Sequence, residues 1–219
     1  MTDAFELQIR EEVVRAARTL ARHGLVTAFG HVSARIGDHV VVTPPVAPAA
    51  VTMDGLVTVD PAADRLPADA APETWAHVAI YRARPDVGAV ARAQPESAFA
   101  AAAVCAELTP LHGQAAWLGR RVPVHPVARL LRTAELATAA AGTLGGADAV
   151  LLRGNGALTT GASPGLAVAR MWLLDAACRV RLAIAGHAAR TLDDDEIAAW
   201  QAAGPALLER LWRHLASTT

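Results

Sequence analysis

VTAFGHVSARIGDHVVVTPP, residues 26–45, carries two β-rich runs, Val26 to Ala34 and His39 to Thr43, with Gly37-Asp38 between them and Pro44-Pro45 closing the second. Valine and threonine suit a pleated, half-buried surface, Gly-Asp supplies a tight turn, and proline cannot continue a ladder. The stretch therefore predicts an antiparallel pair, to which Leu56 to Asp60 adds a third strand. Upstream, Phe5, Ile9, Val13 and Leu20 recur at helical spacing and Gly24 follows as a stop, which predicts a first helix of about five turns. Downstream, helices are expected from Glu73 to Arg84, from Pro95 to Val104 and from Thr133 to Ala141. A long helix follows the cap Ser163-Pro164, and a last one starts at Asp193-Asp194-Asp195. Strands are expected over Val87 to Ala93, Arg121 to Val124 and Ala149 to Arg153, then from the turn Gly154-Asn155-Gly156 to Thr160. There is no internal repeat and no linker. The reading is α/β: one domain over residues 1–219, a three-layer α/β/α unit around a central, mainly antiparallel or mixed sheet.

Composition narrows the function. The hydrophobic fraction is 53 %, yet no stretch approaches the roughly 18 uninterrupted apolar residues of a membrane span. The chain opens Met1-Thr2-Asp3-Ala4 without the basic and apolar regions of a secretory leader, so a cytoplasmic, membrane-free protein is expected. Cys105 and Cys178 stand far apart in alanine-rich surroundings and read as buried free thiols. A net charge of -1 without charge blocks offers nothing to a nucleic-acid backbone, which leaves small molecules or protein partners. All twenty basic residues are arginine. Without a lysine, Schiff-base aldolase chemistry, pyridoxal phosphate chemistry and a P-loop are all excluded.

Several motifs occur in a telling order: His23-Gly24-Leu25-Val26, Gly30-His31-Val32-Ser33-Ala34-Arg35, Val42-Thr43-Pro44, and Glu73 followed by His77 and Ile80-Tyr81. Arg84-Pro85-Asp86-Val87-Gly88, Leu111-His112, Val122-Pro123-Val124 and Val150-Leu151-Leu152-Arg153-Gly154-Asn155-Gly156 come after. Together they resemble the class II aldolase/adducin family from Leu7 to about Arg181. The resemblance implies enzymes in which three histidines hold a divalent metal that polarises a carbonyl or an enediolate, and a glutamate moves protons. Here the three ligand positions are Arg92, Gln94 and Asn155, so the family's metal site is expected to be absent and no cofactor is expected.

In this adapted site Arg92 supplies the fixed positive charge where the metal stood, and Glu73 matches the family's proton-transfer carboxylate. Gln94, Asn155, Ser33 and Thr43 are the candidate substrate-binding residues. His77, one turn from Glu73, reads as a packed helix histidine. His31 and Ala71-Pro72 replace groups with which sugar-phosphate aldolases hold phosphate, which argues against such a substrate. The motifs around His31 and His112 resemble instead a branch containing hydroxy-aromatic acid decarboxylases, and there these two histidines would serve as second acid/base or carboxylate-binding groups. The expectation is a metal-independent lyase acting on a small carboxylate or carbonyl compound, a homotetramer by family resemblance, with Trp117, Trp200 and Trp212 in core or subunit-interface packing. Two alternatives stay open: a non-catalytic binding or assembly protein on the same fold, and a rebuilt metal site of His31, His112 and Glu73.

Overall fold

The computed structural model describes residues 2–217. Its strands are β1 (His31–Ile36), β2 (His39–Val42), β3 (Val57–Val59), β4 (Ala89–Ala93), β5 (Glu107–Leu108), β6 (Val122–His125), β7 (Ala149–Leu152) and β8 (Gly156–Gly161). They lie side by side in the order β3-β2-β1-β4-β8-β7-β6-β5. Only β6 and β7 run parallel, so the sheet is mixed and mainly antiparallel. The helices are α1 (Thr2–Arg22), α2 (Thr74–Ala83), α3 (Glu96–Val104), α4 (Ala134–Leu144), α5 (Pro164–Ala183) and α6 (Asp194–Ser217).

Period-two alternation divides the core between the two faces of the sheet. Val32, Ala34, Val41, Ala89, Ala91, Ala93 and Leu151 are buried with Val13 and Leu20 of α1, Ala98 of α3, and Met171 and Leu174 of α5. On the opposite face Val40, Val90, Val150 and Leu158 meet Ile80 and Tyr81 of α2 and Ala137 and Leu144 of α4. The three-layer arrangement follows from this division. The same rule sends His31, Ser33 and Arg92 to the α2 side, because each sits one residue out of phase with the apolar set facing α1 and α5.

Local chemistry explains most of the boundaries. Ser163 caps α5 by accepting from Leu166 N at 3.2 Å, with Pro164 as its first residue, and Thr133 caps α4. Asp193 and Glu196 form a reciprocal capping box at the start of α6, each backbone N–H donating to the other's carboxylate at 2.9 Å. Three features depart from the sequence reading. β1 begins at His31 rather than at Val26, because Gln94 N donates to Leu25 O at 3.1 Å and the chain from 25 to 30 crosses the end of β4 instead of joining the ladder. The short β5 and the 3-10 turn Gly113–Leu118 were not expected. α6 is held by its own chain: Trp212 is buried over Gly165 and beneath the Arg15 guanidinium, and Trp117 Nε1 donates to Trp200 O at 2.8 Å. Trp117 and Trp212 therefore serve the core.

Candidate functional site

Arg92 and His31 are direct partners across the β1–β4 ladder, so both side chains leave the sheet at the same point and on the same face. Beside them the β7–β8 hairpin turns through Gly154 (φ +69°) and Gly156 (φ +82°), conformations that glycine alone adopts without strain. A Cβ at Gly156 would come within 2.2 Å of Ala93 O, so the hairpin tip lies directly on the end of β4 and carries Asn155 to Arg92. Arg92 Nη2 donates to Asn155 Oδ1 at 2.7 Å, Gln94 Nε2 reaches the same oxygen at 3.4 Å, and Asn155 Nδ2 donates to Arg129 O at 3.2 Å. Gly156→Ala should destabilise the protein by about 3 kcal/mol through strain and displacement of this turn. Urea unfolding measures it; a loss under about 1 kcal/mol would mean that the hairpin can shift at little cost.

Glu73 enters from the other layer, at the N-terminal boundary of α2, where the helix dipole and the orphan N–H groups favour a carboxylate. Its Oε1 accepts from Arg132 Nε at 2.7 Å. Arg132 lies on the loop between β6 and α4, just before the cap Thr133. Together these groups border a cleft of about 460 Å³, with His31, Glu73, Arg92, Gln94 and Arg132 as its polar lining and Phe29, Pro45, Val46, Pro72 and Leu130 among its apolar walls. Phe29, Val46 and Leu130 are all exposed and border the same cleft, so they form an apolar rim rather than scattered surface residues.

Behind the cleft the interior is polar and largely paired, although His77 Nε2 and Thr74 Oγ1 are buried without a partner among the described residues. Ser33 Oγ bonds His77 Nδ1 at 2.7 Å and Tyr81 Oη at 2.9 Å, and Arg35 covers the tyrosine ring at 4.9 Å. Ser33 is fully buried in that chain and does not line the cleft. Thr43 is also interior: its Oγ1 accepts from Val32 N and stands 3.4 Å from His31 Nδ1, where it orients the imidazole. His112 lies elsewhere, before the 3-10 turn that packs on α6, and is not part of the cleft lining. The cleft thus gathers Glu73, Arg92, His31 and Gln94, with Asn155 bonded to Arg92. Arg132 and the apolar rim are additions that the motifs did not carry. The available signal was Arg129-Leu130-Leu131-Arg132, a loop in which arginine and leucine stand together without helical or strand period.

Burial, and then the charge of Arg92, push the His31 imidazole down to about 4, and burial drives His77 well below the ordinary histidine value. Both are neutral near pH 7. Burial alone would raise the Glu73 carboxyl, but the Arg132 hydrogen bond, its own backbone N–H and the charges of Arg132 and Arg92 hold it below the usual range. Burial lowers the Arg92 value too, but a guanidinium keeps its charge. The stability consequence has a definite sign. Between pH 6.5 and about 4 the unfolded chain binds a proton at position 31 that folded His31 refuses, so stability falls as the pH falls through that window. His31→Gln should flatten the pH dependence, recovering about 2 kcal/mol of the stability lost near pH 4.5. Parallel pH curves for the two proteins in urea titrations would remove His31 from the acid response.

Arg92, Gln94 and Asn155 converge, yet they do not form a ligand set for a divalent cation. Arg92 is a permanent cation with a buried Nε that has no acceptor, and the amide oxygen of Asn155 is already taken by that cation. No group of three or more His, Cys, Asp or Glu able to hold a metal ion occurs among the described residues. The centre is suited to an anion or to an oxygen gaining negative charge.

Sheet, helix layers and cleft together describe an α/β/α domain with a polar-floored cleft of about 460 Å³. The fold matches YgbL from Escherichia coli with a TM-score of 0.80 at 22 % identity, over 90 % of this chain and 99 % of that one. The family model for the Class II Aldolase and Adducin N-terminal domain matches residues 11–182. Two similar proteins are 3,4-dihydroxyphthalate decarboxylases, from Terrabacter sp. (strain DBF63) at 30 % identity and from Arthrobacter keyseri at 31 %. Each alignment spans 94 % of this chain, and they cover 94 % and 91 % of those proteins. The chain belongs to the class II aldolase and adducin family.

Proposed function

We propose that this protein is a metal-independent, cytoplasmic lyase of the decarboxylase type, acting on a hydroxylated aromatic acid. The carrying observation is Arg92: a buried guanidinium fixed by Asn155 at the floor of an apolar-walled cleft, beside Glu73. The names of the two decarboxylase relatives support the reaction class, and two unpaired cysteines agree with a reducing compartment. In the reaction Glu73, protonated in the complex, gives its proton to the ring carbon that bears the departing carboxylate while the neighbouring deprotonated hydroxyl oxygen becomes a carbonyl; the bond to the carboxylate then breaks, carbon dioxide leaves, and the bonding pair restores the aromatic ring and returns the negative charge to that oxygen. Arg92 stabilises the negative charge that develops on that oxygen, and Glu73 delivers to the ring carbon the proton that replaces the carboxylate. Neutral His31 beside Arg92 orients the ring hydroxyl without adding a competing positive charge.

The first test is metal content by mass spectrometry, before and after incubation with zinc, manganese, iron and nickel and desalting, together with carbon dioxide release from hydroxylated benzoates and phthalates. An empty protein that releases carbon dioxide in the presence of chelator is the expected result. A stoichiometric metal whose removal abolishes activity would overturn metal independence. We further propose a homotetramer, in which subunit contacts cover the exposed Phe29, Val46 and Leu130 at the cleft mouth. Light scattering should give four times the 22.7 kDa chain mass; a monomer would leave that rim open to solvent.

A further inference from the structure

Arg132 is the one charged group of the cleft without a part in the reaction above. Its side chain is 54 % exposed, and Nε spends one donor on Glu73. No other hydrogen bond of its guanidinium occurs among the described residues, so four of the five N–H donors of a planar fork remain for a ligand. It lines the same cleft as Arg92, and both guanidinium charges act on the Glu73 carboxylate. Two guanidiniums around one carboxylate, with His31 and His77 neutral, leave the cleft one positive charge in excess. A substrate with a single anionic group would neutralise that excess and leave Arg132 on Glu73. A substrate with two carboxylates brings one that competes with Glu73 for the Arg132 fork.

We infer that Arg132 is the specificity-determining residue of the cleft: its guanidinium takes a second, retained carboxylate of the substrate, so that the site selects aromatic dicarboxylates over monocarboxylates. This rests on the decarboxylase reading for its chemistry, but its binding claim stands separately. The geometry fits the class. The cavity of about 460 Å³ suits one substituted ring, its walls are apolar, and its two arginines enter from different elements, the floor of the sheet and the loop before α4. Arg132 is suited to trade partners because its own side chain is half-exposed and held by a single hydrogen bond among the described residues, whereas Arg92 is buried and fastened to Asn155. When the retained carboxylate takes the Arg132 fork, Glu73 loses one of the contacts that oppose the effect of burial on its carboxyl, a change in the direction of the protonated form needed to give a proton to the ring.

The test measures two properties on the purified full chain and on Arg132→Gln and Arg132→Lys, with thermal melting to confirm folding. Calorimetry with unreactive benzene-1,2-dicarboxylate and benzoate should show the dicarboxylate bound at least about tenfold more tightly by the parent, with the preference lost in Arg132→Gln and partly kept in Arg132→Lys. Carbon dioxide release from a dihydroxylated benzene-1,2-dicarboxylate and the matching monocarboxylate should show the ratio of kcat/KM values falling by about tenfold or more in Arg132→Gln. Equal losses on both substrates would make Arg132 only a support for Glu73 and overturn the inference, as would an unchanged ratio. If the binding preference follows Arg132 while no variant releases carbon dioxide, the inference holds and the decarboxylase reading fails. Decarboxylation without any preference for the dicarboxylate overturns the inference and leaves the decarboxylase reading standing.

Discussion

Arg92→Ala is expected to lower kcat/KM for decarboxylation by a factor of about 100 to 1,000, the usual cost of removing one preorganised charge beside a developing oxyanion. Arg92 is 2 % exposed and its fork is aimed by Asn155, so its electrostatic effect is not diluted by solvent and needs no reorganisation during the reaction. The fold should survive. Desolvating a guanidinium opposes folding, and what the substitution leaves behind is a small cavity and an amide oxygen still reached by Gln94. Arg92→Lys should restore little, since a lysine point charge does not reproduce a fork whose Nη2 bonds Asn155 while Nε stays available. Steady-state kinetics alongside circular dichroism separates the two effects, and wild-type turnover in a folded Arg92→Ala protein would end the idea that this side chain stands in for a metal.

Glu73→Gln should reduce kcat by a factor of about 100 to 10,000 with little change in KM, as expected when a positioned proton donor is lost but the binding surface is kept. The amide oxygen of glutamine can still accept from Arg132 Nε, so the loop before α4 keeps its anchor and the measurement reports on the proton rather than on geometry. Glutamine also removes the negative charge that both arginines feel, so substrate anions should bind at least as tightly. Solvent-isotope effects on kcat that vanish in the variant would support Glu73 as the donor. A Glu73→Gln enzyme with an unaltered pH profile and rate would transfer the role to another group in the cleft.

The β-branched run Val40-Val41-Val42 between Gly37-Asp38 and Pro44-Pro45, the apolar run ending at Ala93, and the caps Ser163 and Thr133 made the strands and helices legible, because these signals are local. The late start of β1 was not, since Leu25 and Val26 are as buried as strand residues and only the hydrogen bond from Gln94 reveals that the chain has left the ladder. β5 spans two residues, too few to show any period. In the site, Glu73, Arg92, Gln94 and Asn155 were found through ordered motifs, and the fold does bring them together. Ser33 and His112 show the limit of that method: a motif records that a residue type recurs, but not whether its side chain faces the cleft, a buried tyrosine or another part of the surface. Arg132 belongs to no motif, and its role depends on a contact across 59 positions of sequence.

Asn155 has a consequence for reversibility. Its amide accepts from Arg92 with one end and donates to Arg129 O with the other, so it fastens the loop carrying Leu130 and Arg132 to the floor of the sheet. Changing Arg92, Gln94 and Asn155 together to histidine would therefore do more than supply three imidazoles: it would cut the tie that holds the loop and leave Arg132 pressing a positive charge toward the incoming metal. Asn155 is thus built into its surroundings at both ends, and imidazoles at the three positions would require the loop to change with them.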